Sequence, residues 1–313
     1  MIVLALLAAL ITPVTLAAKA TASPTLDLGA GCTARATVAA RTVVRTTKVG
    51  RVERTYRIHV PRGYSGRRAY PLIVAFHGHA ETAVALQRYS GLTRLPAIVV
   101  FADGLRGTDG QTSWQGAPYS SRASDDVAFT RTILREMRAS ACIDRNRTYA
   151  VGRSNGGGLV ALLSCRLPHD FAAFAVVNGA LYAQSWQGCA GAPPASIIEF
   201  HGTADPVMRY GGGARHGGRY VGVQEALSRW AARDLCVPAS VITRVDRFAT
   251  RYEWSWCAAP GKQVVHYRIT GGGHMWPGAN ARTHARPSDA VSATNLIWQF
   301  FGRHVGTTGA GVK

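Results

Sequence analysis

Lysine is nearly absent: four residues, at positions 19, 48, 262 and 313, stand against thirty-two arginines. Acidic residues are also few, 17 in all, and the formal net charge is +19. The arginines are scattered. No basic arm, basic helix face or nucleic-acid motif accompanies them, which argues against a nucleic-acid partner. What the charge leaves is a positive surface, which favours an anionic cell wall or polymer through long-range attraction. No C-x-x-C pair occurs, so the cysteine spacing gives no zinc site. A Pro- and Ser-rich linker and internal repeats are missing too. With 313 residues, 47% of them hydrophobic, one domain with a large core is expected.

Ile2 to Ala18 is an almost unbroken apolar run, followed by Ala18-Lys19-Ala20. That is the layout of a secretory signal peptide and its small-residue cleavage site, although the usual basic residue near Met1 is missing. A single membrane anchor is the rival reading. The Gly29-Ala30-Gly31 before Cys32 lacks the aliphatic residue of a lipoprotein site, so lipidation is set aside. The six cysteines (Cys32, Cys142, Cys165, Cys189, Cys236, Cys257) fit export, because an even set pairs in an oxidising compartment.

From Arg51 the chain becomes rhythmic. Arg54–Val60 alternates as an early strand should, while Pro71–Phe76 and Ala97–Ala102 are continuous apolar runs of the kind that fill central strands. Ser124-Asp125-Asp126 caps a helix through about Arg138. Strands at Phe171–Val177, Ser196–Phe200 and Val264–Ile269 alternate with helices at Val223–Arg233 and Ser288–Phe301. Such alternation predicts a mostly parallel, doubly wound α/β sheet flanked by helices.

Between the strand Thr148–Val151 and an apolar helix from Leu159 lies Gly152-Arg153-Ser154-Asn155-Gly156. Glycines two before and two after a serine relieve a tight strand-to-helix turn, and the turn lifts the hydroxyl above the sheet. Ser154 is therefore the candidate nucleophile. Three further loops each follow a strand at its carboxyl end, where open α/β sheets place their sites. His77-Gly78-His79 is suited to supply a backbone N–H to an oxyanion from His79, with Asn155 supplying the other. His201-Gly202-Thr203-Ala204-Asp205-Pro206 offers Asp205 to orient an imidazole. Gly271-Gly272-Gly273-His274 presents that imidazole on a glycine run. The chain order Ser154, Asp205, His274 is the order of α/β-hydrolases.

The HG turn at His77, Ser-Asp-Asp-Val at Ser124, Cys142-Ile143-Asp144 before the elbow and Ser-Asn-Gly-Gly at the serine form a set. HGTADP at His201, a Trp230/Cys236 pair and GGGHMWPG around His274 complete it. With these motifs, spread from about Arg54 to Phe301, the chain resembles the secreted polyhydroxybutyrate-depolymerase-type esterases. That group also contains feruloyl and acetylxylan esterases. At position 79 this chain has His where many relatives carry cysteine. The resemblance implies an α/β-hydrolase fold and a serine esterase working through an acyl-enzyme, with no cofactor and no metal. Its substrate would be an ester, of a polyhydroxyalkanoate-type polyester or a feruloyl or acetyl ester of a plant polysaccharide. A monomer is expected.

Further expectations complete this reading. A signal peptide over 1–20, an N-terminal extension over 21–50, a catalytic domain over 51–304 and a tail over 305–313 divide the chain. Once the signal is removed the protein is secreted, with no stable membrane insertion. Trp114, Tyr119, Tyr182, Trp186 and Trp276 stand near the predicted mouth, where they line a substrate groove or belong to the core. The layout of the chain suggests a Cys236–Cys257 bridge behind the His274 strand. Cys142 and Cys165 both fall at the bottom of the sheet and are paired on that ground, leaving Cys32 with Cys189. Two readings from other classes remain: a peptidase of the same fold, disfavoured because no appended propeller or specificity domain is present, and a non-catalytic wall-binding protein, disfavoured because no triad member is lost.

Overall fold

The computed structural model describes residues 26–27, 32–33, 37–38, 41–279 and 286–306. The expected signal peptide lies outside the described residues, as does the tail beyond residue 306.

Ten strands form one sheet. In chain order they are β1 (Thr42–Val49), β2 (Val52–His59), β3 (Tyr70–Phe76), β4 (Ile98–Ala102) and β5 (Ile143–Arg153). They continue with β6 (Ala173–Val177), β7 (Ser196–Gly202), β8 (Val241–Arg244), β9 (Ala249–Trp254) and β10 (Val264–Ile269). Across the sheet the order is β8-β9-β10-β7-β6-β5-β3-β4-β2-β1. The six strands from β10 to β4 run parallel, and two antiparallel strands close each edge. This is the α/β-hydrolase arrangement expected from the alternation of strands and helices.

Every residue of β3, β4, β6 and β7 is buried, which is why those strands read as unbroken apolar runs. The side-chain period of two then divides the core. Leu72, Val74 and Phe76 pack on one face with Phe129, Ile133, Leu159 and Leu227. Ile73 and Ala75 pack on the other with Leu86, Ile297 and Phe300. The first face thus carries α2 (Asp126–Ser140), α3 (Asn155–Arg166) and α4 (Val223–Arg233). The second carries α1 (Ala83–Ser90) and α5 (Ala293–Arg303). Helix α2 starts where its cap residues placed it, with Asp125 accepting the Ala128 N–H at 2.9 Å. Helix α1, absent from the sequence reading, is two turns long and buries only Ala83, Leu86 and Ser90.

Two boundaries differ from expectation. Thr42–Val49 pairs with Val52–His59 along its full length, so a division at residue 51 falls inside a hairpin. The last helix begins at Ala293 rather than Ser288, because Pro287–Asp289 forms a separate 3₁₀ turn and Ser292 caps the helix proper.

The disulfides are Cys32–Cys142, Cys165–Cys189 and Cys236–Cys257. The third is the expected one, and its two cysteines also form a backbone bridge beside the β9–β10 hairpin. The expected pairs Cys142–Cys165 and Cys32–Cys189 are wrong. Cys142 and Cys165 have different neighbours across the fold. Cys142 joins the β3 side, where its N–H donates to the Tyr64 hydroxyl and its carbonyl accepts from Tyr70. Cys165 sits near the end of α3 beside Arg233 of α4, and the 3₁₀ turn Ala183–Trp186, which packs on α3, brings Cys189 to it.

Peptide mapping under non-reducing conditions should return these three pairs. Closing the 21-residue separation between Cys236 and Cys257 should contribute about 3 kcal/mol in the chain-entropy account. Cys236→Ser is therefore expected to lower the melting temperature by several degrees. An unchanged melting temperature would show that the β9–β10 hairpin holds without the clamp.

Candidate active site

Ser154 lies between β5 and α3 with φ 54° and ψ −119°, a conformation that L-residues rarely adopt. Its backbone is fixed on both sides: its N–H donates to the Val177 carbonyl at 2.9 Å, and its carbonyl accepts from Gly158 and Ala180. The flanking glycines are needed for closeness. A Cβ on Gly156 would stand 2.3 Å from the Phe76 carbonyl oxygen and 2.5 Å from that of His77. One on Gly152 would stand 2.1 Å from the Gly156 carbonyl oxygen. Gly156 thus rests directly on the end of β3, while a side chain at Gly152 would strike the backbone of the elbow itself.

The loop after β3 is braced from within. His77 is fully buried; its Nδ1–H donates to the Gly78 carbonyl at 2.7 Å and its Nε2 accepts the Gly104 N–H at 3.0 Å. Burial pushes its pKa down, so it serves as a neutral bracket. The His77 carbonyl accepts the Trp114 indole N–H at 2.8 Å, and the Asn155 side chain exchanges hydrogen bonds with both backbone groups of Trp114. Trp114 is therefore a strut between the two segments expected to line an oxyanion. Behind it, the buried Asp126 carboxylate holds the Gln115 N–H at 2.6 Å and pairs with Arg54 at 2.7 Å.

His274 and Asp205 meet: the imidazole Nδ1–H donates to Asp205 Oδ2 at 2.7 Å. The same oxygen accepts Asn178 Nδ2 at 3.0 Å, while Oδ1 accepts the N–H groups of Val207 and Met208 at 2.8 and 2.9 Å. Burial opposes ionisation here, but hydrogen bonds from His201 and His274 and their charge hold the carboxyl well below the usual range. For His274 burial is the main cause of a lowered pKa; Asp205 opposes it, and the charges of Arg153 and His201 add to it. The histidine loop presses on the aspartate loop because Gly202 is bare: a Cβ there would lie 2.1 Å from the Gly272 carbonyl oxygen.

Ser154 and His274 line one cavity of about 270 Å³, together with His79, Tyr119, Arg153 and His216. With Nδ1 committed to Asp205, His274 keeps Nε2 as its acceptor. The His79 ring lies tilted against Tyr119, with centroids 4.2 Å apart, and its Nε2 contacts Asp109 Oδ2 at 2.8 Å, so its side chain shapes the mouth. Of the aromatic residues proposed for substrate, Tyr119 alone lines this cavity. Trp114 is core, edge-on to Phe76 at 5.2 Å. Trp276 is buried with its indole N–H on Thr294. Tyr182 is buried behind Tyr119. Trp186 packs on Trp230 beside the Cys165–Cys189 bridge, in a different cavity. Aromatic type marks both core and site, and position in the chain did not separate them.

Sequence reasoning missed Arg153 and Glu81. Arg153, the residue before the serine, forms an ion pair with Glu81 and donates to the His274 carbonyl at 2.8 Å. Glu81 in turn accepts the Gly78 N–H at 3.0 Å and the Tyr89 hydroxyl at 2.8 Å. One side-chain pair thus joins the elbow, the early loop and the histidine loop. The variable position of the elbow motif gave no signal for this. Among the described residues no cluster of His, Cys, Asp and Glu is arranged to hold a metal ion.

Gly156→Ala should cost several kcal/mol of stability, since backbone rather than a flexible side chain must yield. Activity should fall with it; a variant that unfolds at the wild-type temperature would mean that the elbow has slack.

Residues 54–208 match the family model described as esterase PHB depolymerase. The match includes Ser154 and Asp205 and stops short of His274. Feruloyl esterase B of Piromyces equi is 32% identical over 228 residues, 69% of this chain and 42% of that protein. Feruloyl esterase D of Neurospora crassa is 29% identical over 306 residues, 92% of this chain and 93% of the other. An acetyl xylan esterase structure from Aspergillus awamori superposes with a TM-score of 0.59 at 13% identity, over 83% of this chain and 99% of that one, which speaks for the fold. The family match and these relatives make the chain similar to the esterase PHB depolymerase family and to feruloyl esterases, and they support a carboxylic ester hydrolase.

Proposed function

We propose that this chain is a secreted serine esterase that removes a hydroxycinnamoyl group of the feruloyl type from a polysaccharide. The observation that carries the mechanism is the 2.7 Å contact of Asp205 with His274, whose ring shares a cavity with Ser154. In this reading Ser154 Oγ attacks the ester carbonyl while His274 Nε2 takes its proton. The N–H groups of His79 and Asn155 hold the developing oxyanion. His274 then protonates the leaving alcohol, and water activated by the same ring hydrolyses the acyl-enzyme. Asp205, kept ionised, fixes the Nδ1–H tautomer throughout.

The cavity supports the acyl side of the substrate. At about 270 Å³ it holds one acyl group rather than a polymer chain, and Tyr119, His79 and His216 give it aromatic walls. The names of the relatives from Piromyces equi and Neurospora crassa favour feruloyl as that group. Three disulfides fit an oxidising compartment. No helix among the described residues is long and apolar enough to cross a membrane.

Ser154→Ala should reduce hydrolysis by roughly 10⁴-fold or more with the fold intact. An organophosphonate should label Ser154, and a chelator should leave the rate unchanged. A variant keeping a tenth of the wild-type rate would remove Ser154 from the mechanism. Against methyl ferulate, a feruloylated arabinoxylan oligosaccharide, p-nitrophenyl acetate and polyhydroxybutyrate granules, kcat/KM should be highest for the feruloylated sugar. Turnover of granules but not of feruloyl esters would overturn the substrate.

The pH profile follows from His274. The ring must be neutral to accept a proton, and its pKa is lowered from 6.5. Activity should therefore rise through a midpoint below pH 6.5 and persist above it. A midpoint above pH 7 would contradict this.

A further inference from the structure

The hydrogen-bonded line does not stop at Asp205. Strand β7 carries Glu199 and His201 two residues apart, hence on one face, and both are buried. Glu199 Oε1 accepts His201 Nδ1–H at 3.0 Å. Its Oε2 accepts His266 Nδ1–H from the register-paired residue of β10 at 2.6 Å. His266 Nε2 then meets the Tyr210 hydroxyl at 2.9 Å, which accepts from Gln224 at 3.0 Å. At the other end, His201 Nε2 faces the Met208 carbonyl at 2.7 Å and Asp205 Oδ2 at 3.4 Å.

With Glu199 and Asp205 ionised, both ring nitrogens of His201 face oxygens that only accept: a carboxylate on one side, a carbonyl and a carboxylate on the other. A neutral imidazole has one N–H and would leave two lone pairs opposed in a dry site. The geometry makes His201 an imidazolium. The other titratable or charged groups around it are His266 from β10, His274 and Arg153 beyond Asp205, the Tyr210 ring at 5.9 Å, and Arg268, whose guanidinium lies over that ring. Strand β6 next to β7 carries no charged side chain, and Asn178 beyond its end contributes a neutral donor to Asp205.

We propose that Glu199 and His201 are positioning residues for the catalytic base: Glu199 holds His201 as a cation, and that cation, sharing Asp205 Oδ2 with His274, keeps the carboxylate ionised while disfavouring a second positive charge on His274. The result is a base that stays free at lower pH than its aspartate alone would allow. The direction of titration agrees. Burial works against the charge on His201, yet hydrogen bonds to Asp205 and Glu199 raise its pKa to about 10. Glu199 stays low despite burial, through His266 and His201.

The activity arm of the test rests on the triad reading above; the spectroscopic arm does not. In Ser154→Ala protein with ¹⁵N-labelled histidine, both ring nitrogens of His201 should remain protonated at pH 8. A neutral tautomer there overturns the proposal whatever the enzyme hydrolyses. In the active enzyme, His201→Gln removes a cation beside Asp205, so the acid limb of kcat/KM should move up by about one pH unit. Glu199→Gln releases the proton of His201 and should move the limb the same way, with no further movement when both changes are combined. A fall in kcat with the acid limb unmoved would reduce the pair to a packing role and sink the idea. Should either variant fail to fold, the labelled histidine in the Ser154→Ala protein decides alone.

Discussion

The ion pair between Arg153 and Glu81 is the constraint on which the site depends. An α/β-hydrolase must bring together loops that follow β3, β5 and β10, and loops are held less firmly than strands. Glu81 belongs to the first, Arg153 ends the strand of the second, and Arg153 also grips the His274 carbonyl of the third. Both side chains are mostly buried at 14% and 22% exposure, so solvent screens the pair less than it would a surface bridge. Their remaining polar atoms are largely occupied by Gly78, Tyr89 and His274, which is the condition for a sequestered ion pair to hold geometry.

Close backbone approach does the rest. Gly156 against Phe76 and His77, and Gly202 against Gly272, are contacts that no other residue permits. They hold the Ser154 elbow against the end of β3 and the Asp205 loop against the His274 loop. Helix α3 adds its N-terminus behind Ser154, where a partial positive charge favours an oxyanion. The strained φ of Ser154 is carried by three backbone hydrogen bonds rather than by its side chain, which leaves the hydroxyl uncommitted by the turn itself.

Electrostatics then run through the sheet in alternation. Asp205 and Glu199 are anions, His201 is the cation between them, and His274 and His266 stand at the two ends. Each buried charge has its opposite beside it, the arrangement that makes ionised groups tolerable in a dry interior. A similar solution appears behind the early loop, where Arg54 pairs with Asp126 and also lies 3.9 Å over the Phe129 ring. Burial pushes the Asp126 carboxyl up and Arg54 opposes that push.

The sequence by itself determined what depends on neighbours along the chain. Apolar runs such as Pro71–Phe76 could only be central strands, Asp125 could only begin a helix, and glycines around Ser154 and before His274 announced turns that present a side chain. The elbow motif, the loops at strand ends and their chain order together proposed Ser154, Asp205 and His274, and the hairpin after Trp254 brought Cys257 back to Cys236. Tertiary structure decided whatever depends on lateral placement. Cys142 lies beside Tyr64 and Tyr70 of the β3 side, whereas Cys165 lies beside Arg233 of α4. Trp114, Trp186 and Trp276 look like Tyr119 in the chain yet face away from the cavity. Arg153 with Glu81, and Glu199 with His201 and His266, carry no local mark, because the free energy of a buried charge is set by the partner that folding brings to it.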